Sequence, residues 1–190
     1  MEINFHKVPL KKRFPLAISR GVKGDSYNLF LSYKKEGFTG WGEGAPGKSE
    51  RATTVEEIQN QLTIFIETGI AALSPEKLNL RAKKMNISPC AYAAFDIAFW
   101  DWKAKKAGLP LHQLLKIPTP TVPTSLTLGI IPPEQVKDRI TLLLENTTAK
   151  ALKVKLGAPE GIEADQEMFA KVLESTQKYN VKIRVDANGG

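Results

Sequence analysis

Two lysines and one aspartate occupy matching places late in the sequence, each near the end of a short run typical of a β-strand. Lys153 and Lys155 alternate with aliphatic residues, so both ammonium groups are expected on one face of their strand. Asp186 closes the next run of this kind. A lysine beside a second ammonium group releases its proton more readily and can serve as a base. A carboxylate suits a hard cation such as Mg²⁺, so these residues predict proton transfer beside a metal ligand.

The same alternation also fits an edge strand with one wet, basic face, which is the usual origin of a lone lysine pair. The order of the surrounding elements favours an enclosed site instead. After residue 123 the pattern predicts strands at 124–128, 151–155 and 182–186, separated by helices at 133–145 and 163–178. Such a repeat is typical of a parallel α/β sheet or barrel.

In an α/β barrel, the catalytic groups lie at the carboxyl ends of the strands. Alternation turns the leucines of the first strand toward the helices, and turns Ser125 and Thr127 toward the interior with the two lysines. In the third strand, Arg184, Asp186 and Asn188 face the same way, although Asn188 also suits an ordinary turn. One carboxylate cannot complete a metal site, so the remaining ligands are expected elsewhere.

A different order of elements precedes residue 118, with strands first and helices afterwards. Strands are expected at 3–8, 27–33 and 38–43, and Lys35-Glu36-Gly37 forms a turn between the last two. Three prolines within 118–123 then predict an extended connector. We therefore divide the chain into a first domain at 1–118 and a second domain at 119–190.

Capping signals predict three helices in the first domain. They begin at Thr53, with Glu56 three residues on, and at the Ser-Pro pairs that start at Ser74 and Ser88. The last helix, at 89–107, is apolar on most sides and is expected in an interior. Its alanines permit close approach by a neighbouring element.

Other polar residues fit structural roles better than chemistry. Asp96 and Asp101 do not share a helix face, so hydrogen bonds within the fold are expected of them. Glu43, at the end of a predicted hairpin strand, is expected to support the fold. Cys90, the single cysteine, fits a small buried helix residue.

Composition bounds the class of protein. A hydrophobic fraction of 42% supports a globular core, whereas the longest apolar run is too short and too charged to span a bilayer. The N-terminus lacks an apolar signal segment, and one cysteine is consistent with a reducing compartment. The net charge of +7 comes from scattered lysine pairs, with no nucleic-acid-binding motif. We expect a cytoplasmic protein that binds neither nucleic acid nor membrane. Assembly into a homo-oligomer is left as an open alternative.

Four segments in this order carry a family resemblance. They are Gly-Trp-Gly-Glu-Gly-Ala-Pro at 40–46, Phe-Asp-Ile-Ala-Phe-Trp-Asp at 95–101, Lys-Val-Lys at 153–155 and Val-Asp-Ala-Asn at 185–188. Together they resemble the enolase superfamily, more closely its muconate-lactonizing subgroup, and within it the dipeptide (L-Ala-D/L-Glu) epimerases. The resemblance implies an α+β capping domain followed by the first strands of a (β/α) TIM-type barrel, which is incomplete in this chain.

The resemblance also implies a reaction and residue roles. The family abstracts the proton next to a substrate carboxylate and forms an enediolate that Mg²⁺ stabilises. Carried over, Lys155 is the base, and Lys153 binds the substrate carboxylate. Asp186 is the first metal ligand and Thr127 a substrate contact. Arg20, in a loop expected to close over a small-molecule substrate such as a dipeptide or an N-acyl amino acid, would meet a distal carboxylate.

The family takes two further acidic ligands and a second catalytic lysine from later strands. We therefore expect the sequence to be part of a longer protein and the 190-residue chain to be inactive alone. Two alternatives stay open: a sister reaction, either muconate cycloisomerization or o-succinylbenzoate synthesis, and a non-catalytic binding or scaffold protein. Acidic residues at the ends of the next two strands, followed by a lysine, would support an enzyme.

Overall fold

A computed structural model describes residues 1–19, 21–119 and 121–187, and the chain divides into two compact units. The first unit contains Met1–Lys11 and Ser26–Thr119. The second contains Lys12–Asp25 and the described residues after Pro120. The domain boundary expected at residue 118 stays a prediction. Within the described ranges, no helix is both long enough and apolar enough to cross a lipid bilayer.

The described residues form eight strands and six α-helices. The strands are β1 (Glu2–Leu10), β2 (Leu16–Ile18), β3 (Gly21–Lys23), β4 (Ser26–Lys35), β5 (Phe38–Gly44), β6 (Ser125–Leu128), β7 (Ala151–Lys155) and β8 (Lys182–Asp186). The helices are α1 (Val55–Glu67), α2 (Pro75–Lys84), α3 (Pro89–Ala107), α4 (Leu111–Leu114), α5 (Pro133–Leu144) and α6 (Ile162–Thr176), and a 3₁₀ turn covers Lys48–Glu50.

The sheet of the first unit is antiparallel, with the strand order β1-β4-β5. Glu36 and Gly37 connect β4 to β5, and both have positive φ angles, 53° and 81°. Two such residues between directly paired strands make the tight hairpin turn whose twist matches the twist of the strands. The expected turn at this position is therefore confirmed.

Helix α3 lies directly on the backbone of β5. Alternate residues of β5 that face α3 are glycines, and a β-carbon at Gly40 or Gly42 would come within 2.0 Å of a helix carbonyl oxygen. On the helix side, the contacts involve Ala94 and Ala98, both fully buried. The predicted close approach to the alanines of this helix is confirmed. An aromatic cluster extends the same core, with Tyr33 and Phe95 edge to face at 6.1 Å.

Polar residues lock this core at its edges. The Asp101 carboxylate accepts hydrogen bonds from the Trp41 amide at 2.8 Å and from Lys105 at 2.7 Å. The Asn28 side chain donates to Glu43 at 2.6 Å. The structural roles expected of Asp101 and Glu43 are confirmed, as is the burial of Cys90.

Helix α1 begins one residue later than the sequence analysis placed it. Thr54, not Thr53, is the N-cap, and its hydroxyl accepts a hydrogen bond from the Glu57 amide at 3.1 Å. The Glu57 carboxylate accepts a hydrogen bond from the amide of Thr53, the residue before the N-cap, at 2.6 Å, so the two side chains hold the start of the helix from both directions. The duplicated threonines and glutamates of this stretch allow two frames. The observed frame leaves Glu56 exposed and beside Lys7 at 2.5 Å.

The second unit contains a parallel sheet in the order β6-β7-β8. Helices α5 and α6 cover one face, and a single core joins them to the sheet; its fully buried members include Leu152, Val154, Val136, Ile140 and Val172. The expected order of strands and helices in this unit is confirmed. The observed α5 ends one residue earlier than expected, and α6 covers Ile162–Thr176 instead of 163–178.

Strands β2 and β3 were not predicted. They form a small antiparallel hairpin that pairs Leu16 with Lys23 and belongs to the second unit. Three residues per strand are too few for an alternating pattern to emerge from the sequence. The four-residue helix α4 was missed for the same reason.

The contact between β5 and α3 predicts a large effect of one methyl group. Replacing Gly42 by alanine would place its Cβ 2.0 Å from the Ala94 carbonyl oxygen, so the helix must move away from the sheet. We expect the free energy of unfolding to fall by about 3 kcal/mol. All three tryptophans lie in the first unit, so urea unfolding followed by tryptophan fluorescence reports the change. Gly47→Ala is the matched control, because its nearest neighbour is the flexible Glu50 side chain at 3.4 Å. Equal stability of both variants would contradict the close contact.

Candidate active site

The ends of β7 and β8 bring three charged groups together. The Lys155 Nζ lies 2.7 Å from Oδ2 of Asp186, and the Lys153 Nζ lies 3.5 Å from the same oxygen. The Lys155 side chain is only 13% exposed, whereas the Lys153 and Asp186 side chains are each 32% exposed. Two ammonium groups and one carboxylate are therefore assembled within one small, partly enclosed region.

The register of the parallel sheet produces this cluster. Lys155 pairs with Asp186 across β7 and β8, so both side chains leave the same face of the sheet. Thr127 pairs with Lys153, which in turn pairs with Arg184, in the row below. The alternate residues Leu128 and Val154 are buried against α5 and α6. The face opposite the helices therefore carries a hydroxyl, two ammonium groups, a guanidinium and a carboxylate.

The loop after β7 is held by a residue that the sequence analysis missed. The Asp165 carboxylate, in α6, accepts hydrogen bonds from the amides of Gly157 at 2.8 Å and Ala158 at 3.1 Å. The amide of Leu156 donates to the Asp186 carbonyl at 3.0 Å, which continues the contact between β7 and β8 beyond the strands. An acidic residue near the start of a helix that follows a glycine loop was the available signal.

The β2–β3 hairpin lies against β6 in the same unit. The Ala17 carbonyl accepts a hydrogen bond from the Ile130 amide at 3.0 Å, just past the carboxyl end of β6. Arg20 lies outside the described residues, so its contact with a distal substrate carboxylate stays a prediction. Thr127 and Leu16 both line a small cavity of about 110 Å³ beside the hairpin.

Positive charge predominates around the cluster. Two ammonium groups share one carboxylate, and Arg184 lies in the adjacent row of the sheet. A region with this balance attracts an anionic group, and ammonium hydrogen bonds to a carboxylate are stronger than neutral ones. The charge arrangement therefore favours the binding of a carboxylate group.

The described residues fit one ligand of a magnesium site. Asp186 supplies a hard carboxylate oxygen, which is the donor that Mg²⁺ prefers. Among residues 1–19, 21–119 and 121–187, no group of three or more His, Cys, Asp or Glu side chains could hold a metal ion. Further donors must therefore come from outside the described residues for a complete site.

A larger cavity of about 440 Å³ lies in the first unit, beside α2 and α3. Burial raises the pKa of Tyr92 to about 12, and it also raises the pKa of Asp96. Tyr92 is hydrogen-bonded to Asp96 and Asn79, so both titratable groups have partners within the fold. A neutral phenol and a hydrogen-bonded carboxyl give this cavity a structural character, which agrees with the role expected of Asp96.

A family model matches the N-terminal part of the chain. Residues 1–116 match the family described as mandelate racemase / muconate lactonizing enzyme, N-terminal domain. This match covers more than half of the chain. The chain belongs to the mandelate racemase / muconate lactonizing enzyme family.

Two curated relatives and one solved structure illustrate the similarity. The chain is 62% identical over 190 residues to a hydrophobic dipeptide epimerase of a Flavobacteria bacterium, which covers 100% of this chain and 54% of the relative. It is 50% identical to a hydrophobic dipeptide epimerase of Roseobacter litoralis, again over 100% of this chain and 55% of the relative. The dipeptide epimerase of Enterococcus faecalis, complexed with Mg and L-Leu-L-Tyr, is 29% identical. Its TM-score is 0.78, with 98% of this chain and 52% of that chain covered. The chain spans about half the length of the curated relatives it matches.

The charge cluster predicts a stability difference between two carboxylates. Asp186→Asn removes the charge that faces two ammonium groups, one of them largely buried, so the free energy of unfolding should fall by about 1–3 kcal/mol. Glu174→Gln, which breaks the exposed Lys171–Glu174 pair at 2.9 Å, should cause no measurable change. Urea unfolding followed by circular dichroism checks both variants. A loss in Glu174→Gln as large as in Asp186→Asn would contradict the distinct environment of Asp186.

Proposed function

We propose that this chain contributes the capping domain and the first barrel strands of a magnesium-dependent dipeptide epimerase. The observation that carries the proposal is the convergence of Lys153 and Lys155 on one oxygen of Asp186, at the ends of adjacent parallel strands. It is supported by the 62% identity to a hydrophobic dipeptide epimerase. The proposal concerns a protein of the relatives' length.

Lys155 is the proposed base. Its Nζ would take the proton from the substrate carbon next to a carboxylate, and the carbon–hydrogen electron pair would pass to that carboxyl group. Lys153, one row below on the same face, would bind the growing negative charge. A bound Mg²⁺ would supply further stabilisation of that charge, with Asp186 as one of its ligands. Thr127 would contact the substrate from the neighbouring strand.

A hydrophobic dipeptide is the proposed substrate. Motif resemblance suggested the L-Ala-D/L-Glu class, whose second residue carries a distal carboxylate. The relatives at 62% and 50% identity are both hydrophobic dipeptide epimerases, and the E. faecalis structure holds L-Leu-L-Tyr. Apolar side chains need no counter-ion, so this assignment gives Arg20 no substrate contact.

The role of Lys155 predicts loss of proton exchange. In D₂O, the full-length protein should exchange the α-proton of a dipeptide substrate, and Lys155→Ala should reduce that exchange by a factor of about 10²–10⁴. Lys171→Ala is the matched control, because Lys171 is an exposed lysine paired with Glu174. Proton NMR of the substrate measures exchange from both epimers. Undiminished exchange from both epimers in Lys155→Ala would refute the assignment of the base.

A substrate panel separates the two dipeptide classes. With full-length protein, L-Leu-L-Tyr should give a kcat/KM at least about tenfold above that of L-Ala-L-Glu, which corresponds to 1.4 kcal/mol of discrimination. In that case Arg20→Ala should change neither value much. A preference for L-Ala-L-Glu that Arg20→Ala abolishes would instead establish the distal carboxylate contact. Turnover of neither dipeptide, with turnover of a muconate or an N-acyl amino acid, would replace the proposed substrate class.

A further inference from the structure

We propose that Gly129 and Gly157 are positioning residues for the substrate site. They allow residues 16–19, which include β2, to lie against the carboxyl ends of β6 and β7. The segment then forms a fixed wall beside the cluster of Lys153, Lys155 and Asp186. The inference rests on the proposed function, because it treats this wall as a boundary of the dipeptide site.

Gly129 makes the first contact. It follows β6, and a β-carbon built there would lie 2.9 Å from the Ala17 carbonyl oxygen and 3.1 Å from the Ala17 nitrogen. The Ile130 amide, one residue further on, donates to the same carbonyl at 3.0 Å. The backbone of Gly129 needs no left-handed conformation, so glycine is required here only by the approach of the hairpin. Any side chain at residue 129 must push β2 away from β6.

Gly157 makes the second contact. Its φ angle is +96°, and a β-carbon there would lie 2.9 Å from Ser19 Cβ and 3.6 Å from the Ala187 carbonyl oxygen. The ends of β7 and β8 and the segment at 16–19 therefore meet around this residue. The Asp165 carboxylate holds the loop in place by accepting hydrogen bonds from the amides of Gly157 and Ala158. The Ser19 position is thus tied to a loop residue that lies two positions after Lys155.

Two further contacts tie down the base of the segment. The Arg139 guanidinium, on α5, lies 3.8 Å from the centre of the Phe14 ring, which is a close cation–π contact. The Lys12 amide donates to the Asp25 carboxylate at 2.9 Å and joins the two ends of the segment 12–25. The segment is therefore held at its base as well as at the two glycines.

This geometry separates substrate binding from proton transfer. A methyl group at residue 129 would meet Ala17 and Leu16 of the wall, and neither Lys155 nor Asp186 is among its three nearest neighbours. The substrate would lose contact on one side, in the ground state and the transition state alike. Loss of uniform binding raises KM and leaves kcat unchanged.

The test uses the full-length protein and the dipeptide that it turns over best. In Gly129→Ala, we expect KM to rise about tenfold while kcat stays within about twofold of wild type. Hydrogen exchange at the Ile130 amide should accelerate, because its acceptor is the displaced Ala17 carbonyl. Gly24→Ala is the matched control, since its β-carbon would meet nothing within 4 Å. That variant should match wild type in both measurements.

A second pair of variants keeps the inference testable if Gly129→Ala folds poorly. Gly157→Ala should also raise KM, and Ser19→Gly in the same chain should restore much of the loss by removing the atom that the new methyl group meets. The left-handed backbone strain at residue 157 is common to both variants, so it cannot account for such a rescue.

The outcomes divide clearly. Unchanged Ile130 exchange in Gly129→Ala, unchanged KM with accelerated exchange, or no rescue by Ser19→Gly would each overturn the inference. Wild-type protein that turns over no dipeptide would refute the proposed function instead. In that event the hydrogen exchange of Ile130 still decides whether Gly129 seats the hairpin.

Discussion

The register between β7 and β8 is the constraint on which the candidate site depends. It pairs Lys155 with Asp186, and a shift of one residue would turn both lysines toward α5 and α6. The helices prevent that shift, because the side chains of Leu152 and Val154 on β7 are fully buried against α5 and α6. An ordinary apolar core on one face of the sheet thus fixes the positions of the charged groups on the other. The chemistry of the site is in this sense a consequence of packing.

In both units, glycine residues allow the backbones of two neighbouring elements to lie unusually close together. In the first unit, the glycines of β5 seat α3 on the sheet, with Gly40 and Gly42 directly under the carbonyl oxygens of the helix. In the second unit, Gly129 and Gly157 seat a short hairpin at the ends of two strands. In each place a missing side chain sets the distance between two elements. The segment Gly-Trp-Gly-Glu-Gly, which carries part of the family resemblance, therefore has a packing reason of its own.

Much of the framework was predictable from the sequence, and the reasons are local. The bounds of α3, β7 and β8 agree with the expected ones, since proline, glycine and strict alternation mark their ends. The first helix was placed one residue early, because two threonines offer equivalent caps. The β2–β3 hairpin and Asp165 were not found. Both act through contacts with residues distant in sequence, which no local pattern records. The meeting of two ammonium groups at a single oxygen of Asp186 likewise depends on the register between β7 and β8, which the sequence of either strand alone does not determine.

The central claim is that Lys155 faces the carbon that reacts. A crystal structure of the full-length protein with Mg²⁺ and its preferred dipeptide tests this most directly. We expect the Lys155 Nζ within about 3.5 Å of the substrate carbon next to the carboxylate, as in a near-attack geometry. An Asp186 oxygen should lie about 2.1 Å from the metal ion. A dipeptide bound elsewhere, for example in the cavity beside Tyr92, or a metal ion without Asp186 among its ligands, would contradict the proposed site.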